Sequence, residues 1–202
     1  SWEISSPDLS NAEPEKLLDS GGEIYLDNTA AEFHATILTV RESPVEAGVI
    51  WAGTDDGNVW ITRDGGADWT QIDDNLPDFP AEAWVSKIDA SHAEPGRAYI
   101  NVDQHRLDDF TPPVWRCDDY GASCTKLSAG LPQNAYTKVM REDPRHPNLL
   151  YAGTDRDRPA PSAAAVLPRR RLAVQRPLAP PLPGPLPLVW APWVPRARAV
   201  SV

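Results

Sequence analysis

Cysteine, methionine and long apolar runs are nearly absent from this 202-residue sequence, which holds two Cys and one Met. Two thiols cannot build the disulfide framework of a small secreted domain. They also lack the further ligands that a structural zinc site requires. The longest apolar stretch, Pro177 to Pro195, is interrupted by proline throughout. Proline removes the hydrogen bonds that a membrane helix depends on, so no membrane span is expected. Long segments with the 3.6-residue period of an amphipathic helix are missing, which excludes helical bundles and helical solenoids. Basic residues are scarce over residues 1–155, where 28 acids face 11 bases. A surface of that sign repels phosphate, so nucleic acid is excluded, and neutral or cationic partners suit it better. Neither a glycine-rich phosphate loop nor a cluster of metal ligands occurs, and no cofactor and no metal are expected.

Residues 156–202 have a different composition, with eight Arg, a single acid (Asp157) and half of the 22 prolines. An abrupt shift of this kind marks a boundary. Proline cannot donate to a strand ladder and no apolar periodicity supports a core, so this Pro/Arg-rich C-terminal tail is expected to be disordered.

Before the boundary, short β-rich runs dominate: Ala35–Val40, Gly48–Thr54, Val59–Thr62, Trp69–Ile72, Trp84–Ile88 and Ala98–Val102. Gly, Asp, Asn and Pro clusters separate them, the pattern of antiparallel strands and turns. Asp55-Asp56-Gly57-Asn58 reads as a tight hairpin turn in which glycine supplies the positive φ.

The runs repeat. Gly48–Thr54 returns as Gly96–Val102 and again as Asn148–Thr154, with the aromatic residues Trp51, Tyr99 and Tyr151 spaced by 48 and 52 residues. A period near 50 with about four strands per repeat fits a β-propeller blade. A second landmark recurs within each repeat. Thr62-Arg63-Asp64-Gly65-Gly66-Ala67-Asp68-Trp69 matches the Asp-box pattern, and Cys117–Cys124 keeps its Asp119 and Gly121. The fold class expected is therefore all-β, a propeller fragment of four-stranded antiparallel blades with Asp-box hairpins. Residues 1–22 read as the end of a preceding blade and a linker, 23–78 and 79–132 as blades, and 133–155 as the start of a third. With a disordered tail beyond it, that third blade should expose an unpaired edge.

These boxes, with the phrases Asp27–Glu32, Trp51–Gly57 and Arg141–Pro144, resemble the Asp-box (bacterial neuraminidase repeat) propellers of the sortilin type, in particular the glycosyl-hydrolase-like secreted bacterial members. The resemblance spans residues 1–155. It implies an exported protein (secreted, periplasmic or cell-surface) and a box on the propeller periphery, away from the central cleft. It also implies that the remainder of the propeller is needed for closure.

The candidate residues fall into three sets. Asp64 and Gly66 are expected to staple a hairpin and Trp69 to pack between sheets, with Asp119 and Gly121 as their counterparts. Cys117 and Cys124 begin and end a hairpin, so a disulfide is expected across it, with free thiols as the alternative. His34, Trp84 and Tyr136, beside Glu32 and Glu82, fall near the starts of the innermost strands, where rings and carboxylates suit a peptide or glycan. The competing reading is that these rings only fill space between blades.

The function these features favour is a non-catalytic surface for protein, peptide or glycan within a larger exported protein. A glycoside hydrolase fragment is the alternative, although no motif singles out the two opposed carboxylates that an inverting hydrolase needs. The sialidase variant is poorly supported, because Arg41, Arg63, Arg106 and Arg116 do not recur at matching places. A chaperone for assembly of a membrane complex is a third option. His105-Arg106 and Asp108-Asp109 lie in a long insertion that can reach a ligand.

One expectation concerns the coding sequence. An Asp box is due near Ser162–Ala165, where none stands, and GC-rich DNA read out of frame gives the Arg, Pro, Ala and Leu mixture found there. Residues from about 156 onward are therefore expected to be a frameshifted third blade, with a genuine Pro-rich linker as the alternative. Resequencing should recover a third box in another frame. An intact frame with no box in any frame favours the linker.

Overall fold

The computed structural model describes residues 3–18, 34–127, 130–147, 149–155 and 198–201. Among these, strands β1 (Ile37–Glu42), β2 (Ile50–Thr54), β3 (Val59–Thr62) and β4 (Thr70–Gln71) form one antiparallel sheet in sequence order. Strands β5 (Trp84–Ala90), β6 (Ala98–Asp103), β7 (Val114–Asp118) and β8 (Ser123–Lys126) form a second with the same order. A third contains β9 (Thr137–Glu142), β10 (Leu149–Thr154) and β11 (Arg198–Ser201), in the order β11-β10-β9. Only short 3-10 turns interrupt the strands, and no helix among the described residues is long and apolar enough to cross a membrane.

Successive four-stranded meanders stacked face to face are propeller blades. A sheet held between two neighbours is buried on both faces, so its middle strands are buried throughout instead of alternating. β6 shows this, since Ala98 to Val102 are all buried and four of the five are apolar or aromatic. One core cluster joins the first two sheets through Trp51, Val59 and Ile61 on one side and Val85, Ile88 and Ile100 on the other. A second joins the next pair through Tyr99, Val114, Met140 and Leu150. Gly53 permits the close approach, because a Cβ there would lie 2.3 Å from Val85 of the next sheet.

Strand register fixes which residues are equivalent. Glu42 faces Ile50, Ala90 faces Ala98 and Glu142 faces Leu150, so these three end the innermost strand of each sheet. One residue earlier stand Arg41, Asp89 and Arg141, and before them Val40, Ile88 and Met140. Ile50 faces Thr62 and Ala98 faces Cys117, which makes Thr62 and Cys117 equivalent and places both box hairpins at the same corner of their sheets.

The N-terminal stretch makes the contacts that a preceding blade would. Leu9 is buried, and its carbonyl accepts the Trp60 indole N–H at 2.7 Å. Trp115, the equivalent residue one sheet on, donates to the Pro77 carbonyl at 2.9 Å. Thus residues 3–11 lie on the first sheet as the stretch after β4 lies on the second. Asn11 completes the fit: its backbone N–H donates to Asp56 Oδ2 at 2.6 Å and its side chain amide to the Asp56 carbonyl at 3.0 Å.

Two expectations need correction. Trp69 does not pack between two sheets; it is half-buried, and its indole N–H donates to the Ser5 carbonyl at 3.0 Å. The box hairpin overhangs the N-terminal stretch, not a neighbouring strand. The free third-blade edge expected beside the tail is occupied, since Leu149 to Ala152 of β10 pair with Arg198 to Ser201. That four-residue segment contains no proline, so its backbone can join the ladder. Residues 156–197, where the rest of the expected disorder and the frameshift fall, lie outside the described residues.

The equivalence of Val40 and Ile88 yields a paired test. Ile88 is fully buried between sheets, whereas Val40 is 60% exposed. Ile88→Ala should cost about 2–5 kcal/mol in chemical denaturation. Val40→Ala should change stability by no more than about 0.5 kcal/mol. Equal losses would show that something covers the outer face of β1.

Candidate functional site

Each sheet has two ends, which its hairpins define. Box hairpins close β3 to β4 and β7 to β8 at one end. The starts of β1, β5 and β9 and the ends of β2, β6 and β10 share the other, here called the mouth. At the mouth every blade contributes the same backbone pair. Asp55 N–H donates to the Thr36 carbonyl at 3.0 Å, Asp155 N–H donates to the Tyr136 carbonyl at 3.1 Å, and Trp84 faces Asp103 in register. Thr36, Trp84 and Tyr136 are therefore equivalent, and an aspartate recurs opposite each.

His34 is offset from this position. Thr36 takes the equivalent place in the first blade, and its N–H donates to the Asp55 carboxylate at 2.7 Å. His34 lies two residues earlier, with Nδ1 3.9 Å from Asp55. Its Nε2 is enclosed without a hydrogen-bond partner among the described residues. Glu82 lies within electrostatic reach of the His34 ring, and its direct partner is a cation. It pairs at 2.8 Å with Lys16, which also holds Glu13 at 2.8 Å. The Lys16 ammonium keeps the Glu82 carboxyl below its ordinary range. Glu32 lies outside the described residues.

The insertion after β6 covers both rings, which the sequence reading did not foresee. Asp103 accepts the His105 backbone N–H at 3.0 Å and lies 2.5 Å from its Nδ1, which starts a 3-10 turn at His105–Leu107. Asp108 then adopts a left-handed conformation, φ 60°. This places the His105 ring on Tyr136, with centroids 4.8 Å apart and planes 14° apart. It also places the Arg106 guanidinium 3.9 Å from the centroid of Trp84. Phe110 and the Lys138 ammonium complete the surround of Tyr136, at 6.4 and 5.6 Å. The adjacent aromatic-binding side chains His105 and Arg106 were the signal available in the sequence.

The box end is built differently. Thr62 Oγ1 donates to Asp64 at 2.7 Å and accepts Gly66 N–H at 3.0 Å, while Asp68 N–H donates to the Asp64 carboxylate at 3.0 Å. Gly66 has φ +105°, and a Cβ on it would meet the Ser5 carbonyl at 2.3 Å. These bonds, that of Asp68 foremost, hold the Asp64 carboxyl below its usual range. In the second hairpin a disulfide joins Cys117 and Cys124, with Cα atoms 4.0 Å apart. There Asp119 has no such bond among the described residues. Asp119, Tyr120 and Gly121 run consecutively at positive φ. Asp118 takes the charge interactions instead, with Arg97 at 2.5 Å and Arg116 at 2.9 Å. Tyr120 bridges to the first blade, donating to Glu46 at 2.7 Å under the Arg63 guanidinium, 3.8 Å from its ring centroid. Among the described residues no group of three or more His, Cys, Asp or Glu is placed to hold a metal ion.

The chain is similar to a number of solved structures at low identity. YCF48 from Cyanidioschyzon merolae shares 20% identity with a TM-score of 0.41, covering 57% of this chain and 30% of that one. An ancestral GH74 enzyme shares 16% with a TM-score of 0.44, covering 59% and 16%. The GH74 xyloglucanase from Xanthomonas campestris shares 17% with a TM-score of 0.44, covering 62% and 19%. The chain thus spans less than a third of the length of each. No protein-family model and no curated protein matches the sequence. At such TM-scores the fold assignment rests on the sheets described above.

Asp64 and Asp119 give a second paired test. Asp64→Ala should lower the melting temperature and Asp119→Ala should change it much less. A carboxyl whose pKa is depressed on folding stabilises above its unfolded value, near 3.9, and that contribution disappears as pH falls through the lower folded value. Asp64→Ala should accordingly flatten some of the acid-side decline in melting temperature below about pH 4. An unchanged melting curve at both pH 7 and pH 3 would remove the hairpin role.

Proposed function

We propose that the mouth is a non-catalytic binding face for protein, peptide or glycan, operating within an exported protein. The observation that carries this reading is the placement of Trp84 and Tyr136 at one equivalent position of adjacent blades, each ring already engaged by a polar side chain of the insertion. Rings with polar groups at their rims combine apolar contact area with orienting hydrogen bonds, the usual chemistry of a binding site. A general acid for glycoside hydrolysis needs a raised pKa. Glu82 has the opposite environment, its carboxyl held below its ordinary range by Lys16. The Cys117–Cys124 bridge supports an oxidising compartment, consistent with export.

Calorimetry on the full chain with a xyloglucan oligosaccharide and with short peptides tests the reading, alongside a reducing-end assay. One probe class should bind without releasing new reducing ends. Replacing both Trp84 and Tyr136 by Ala should weaken that binding at least about tenfold, about 1.4 kcal/mol. Release of reducing ends, or binding indifferent to the double replacement, would overturn it.

A further inference from the structure

We propose that the Trp84 ring is a receptor for a cationic side chain, Arg or Lys of a basic peptide, and that Arg106 of the same chain occupies it as an internal stand-in. The inference rests on the binding-face reading above and names the ligand chemistry for it. A guanidinium within about 6 Å of an indole centroid is attracted by the ring quadrupole, and Arg106 lies at 3.9 Å. Arg106 has no ion pair among the described residues, although Asp108 and Asp109 follow closely in the chain. The arginine rests on the ring and not on a neighbouring carboxylate, so the ring is a competent cation site.

The surroundings are acidic overall: Asp103 stands opposite Trp84 in register, and residues 1–155 carry 28 acids against 11 bases, although Lys16 neutralises Glu82 and Lys138 lies beside Tyr136. A neutral glycan stacked on Trp84 would gain nothing from that field, whereas a basic peptide would gain both the ring and the charge. The occupant is also easy to displace. Arg106 is exposed, Leu107 beside it is 63% exposed, and the turn carrying them is a single 3-10 turn. Moving Arg106 aside therefore uncovers little buried apolar area.

Displacement of an internal competitor has a measurable signature, because apparent affinity scales with the fraction of protein whose site is open. The probes are acetyl-Gly-Arg-Gly-Arg-Gly amide, the same peptide with Gln for Arg, and a xyloglucan oligosaccharide. Binding to the full chain is measured by calorimetry and by the Trp84 indole N–H resonance. If Arg106 covers the ring nine-tenths of the time, Arg106→Ala should tighten binding of the Arg peptide about tenfold. Arg106→Gln should do the same, and binding to either variant should weaken as salt rises from about 0.05 to 0.5 M. Unchanged or weaker binding in both variants, or equal binding of the Gln peptide, would overturn the cation assignment. If the oligosaccharide alone shifts Trp84, the binding face stands and only its ligand class is wrong. If no probe shifts Trp84 in any variant, both readings fall.

Discussion

No sheet of this chain can bury its own two faces, and the remaining structure follows from that constraint. A four-stranded meander with apolar residues on both sides is stable only when neighbours cover it. Ile88 and Met140 are covered by the preceding sheet, while Val40 at the same position is not. Two devices recur to hold successive units together: the indole N–H of Trp60 or Trp115 reaching back to a carbonyl of the preceding segment, and a box hairpin set over that same segment. Gly66 meets Ser5 as Gly121 meets Ile72. The same two contacts recur one sheet apart, with residues 3–11 and the stretch after β4 as their partners.

The polar contacts between sheets vary from one interface to the next, and they vary in matched sets. Between the second and third sheets, Glu142 accepts from Tyr99 at 2.9 Å, Ser91 at 2.7 Å and the His92 N–H at 2.6 Å. Burial, then the Glu142 carboxylate, pushes the Tyr99 phenol well above its ordinary pKa, which keeps it a donor. Between the first and second sheets, Ala90 replaces the glutamate and Trp51 replaces the tyrosine, so a larger ring takes the room of a missing carboxylate. The inner strands also alternate in charge across the stack as Arg41, Asp89 and Arg141. Asp89 bonds to Arg141, accepts the Glu142 N–H at 3.1 Å and lies 3.9 Å from Arg41. A buried carboxylate costs several kcal/mol without partners. These interactions therefore fix the register between particular blades more than they add stability.

What the sequence made legible was whatever the backbone repeats. Strands and hairpins could be read because Gly, Asp and Asn punctuate them at each recurrence, and the spacing of Trp51, Tyr99 and Tyr151 equals the spacing of true register partners. The equivalence of Thr62 with Cys117 could be read for the same reason. Side-chain roles were less legible, since they depend on which surface a hairpin happens to cover. Trp69 meets the N-terminal stretch, and Asp119 leaves its staple role because three consecutive positive-φ residues turn its carboxylate outward. His34 was suggested by side-chain type, yet strand register gives its place to Thr36. The stacking of His105 and Arg106 depends on the left-handed turn at Asp108, which no periodicity announces.

The two ends of the stack are held with unequal strength, and this asymmetry bears on where binding can occur. At the box end a disulfide, a bond usually contributing about 2–4 kcal/mol, fixes the hairpin whose Tyr120 reaches the first blade. Asp64 adds a set of backbone bonds in the neighbouring hairpin. At the mouth the insertion is held by the bonds of His105 to Asp103, the His105 stack on Tyr136 and the Arg106 cation–π contact, the last about 0.5–1 kcal/mol at an exposed site. A ligand can therefore displace the Arg106 contact without disturbing the sheet packing, whereas displacing Tyr120 would remove a polar tie between the first and second blades, which their shared apolar core also joins. The apolar core between the second and third sheets sets the spacing of Trp84 and Tyr136, and the weakly held Arg106 is what a ligand must move to reach Trp84.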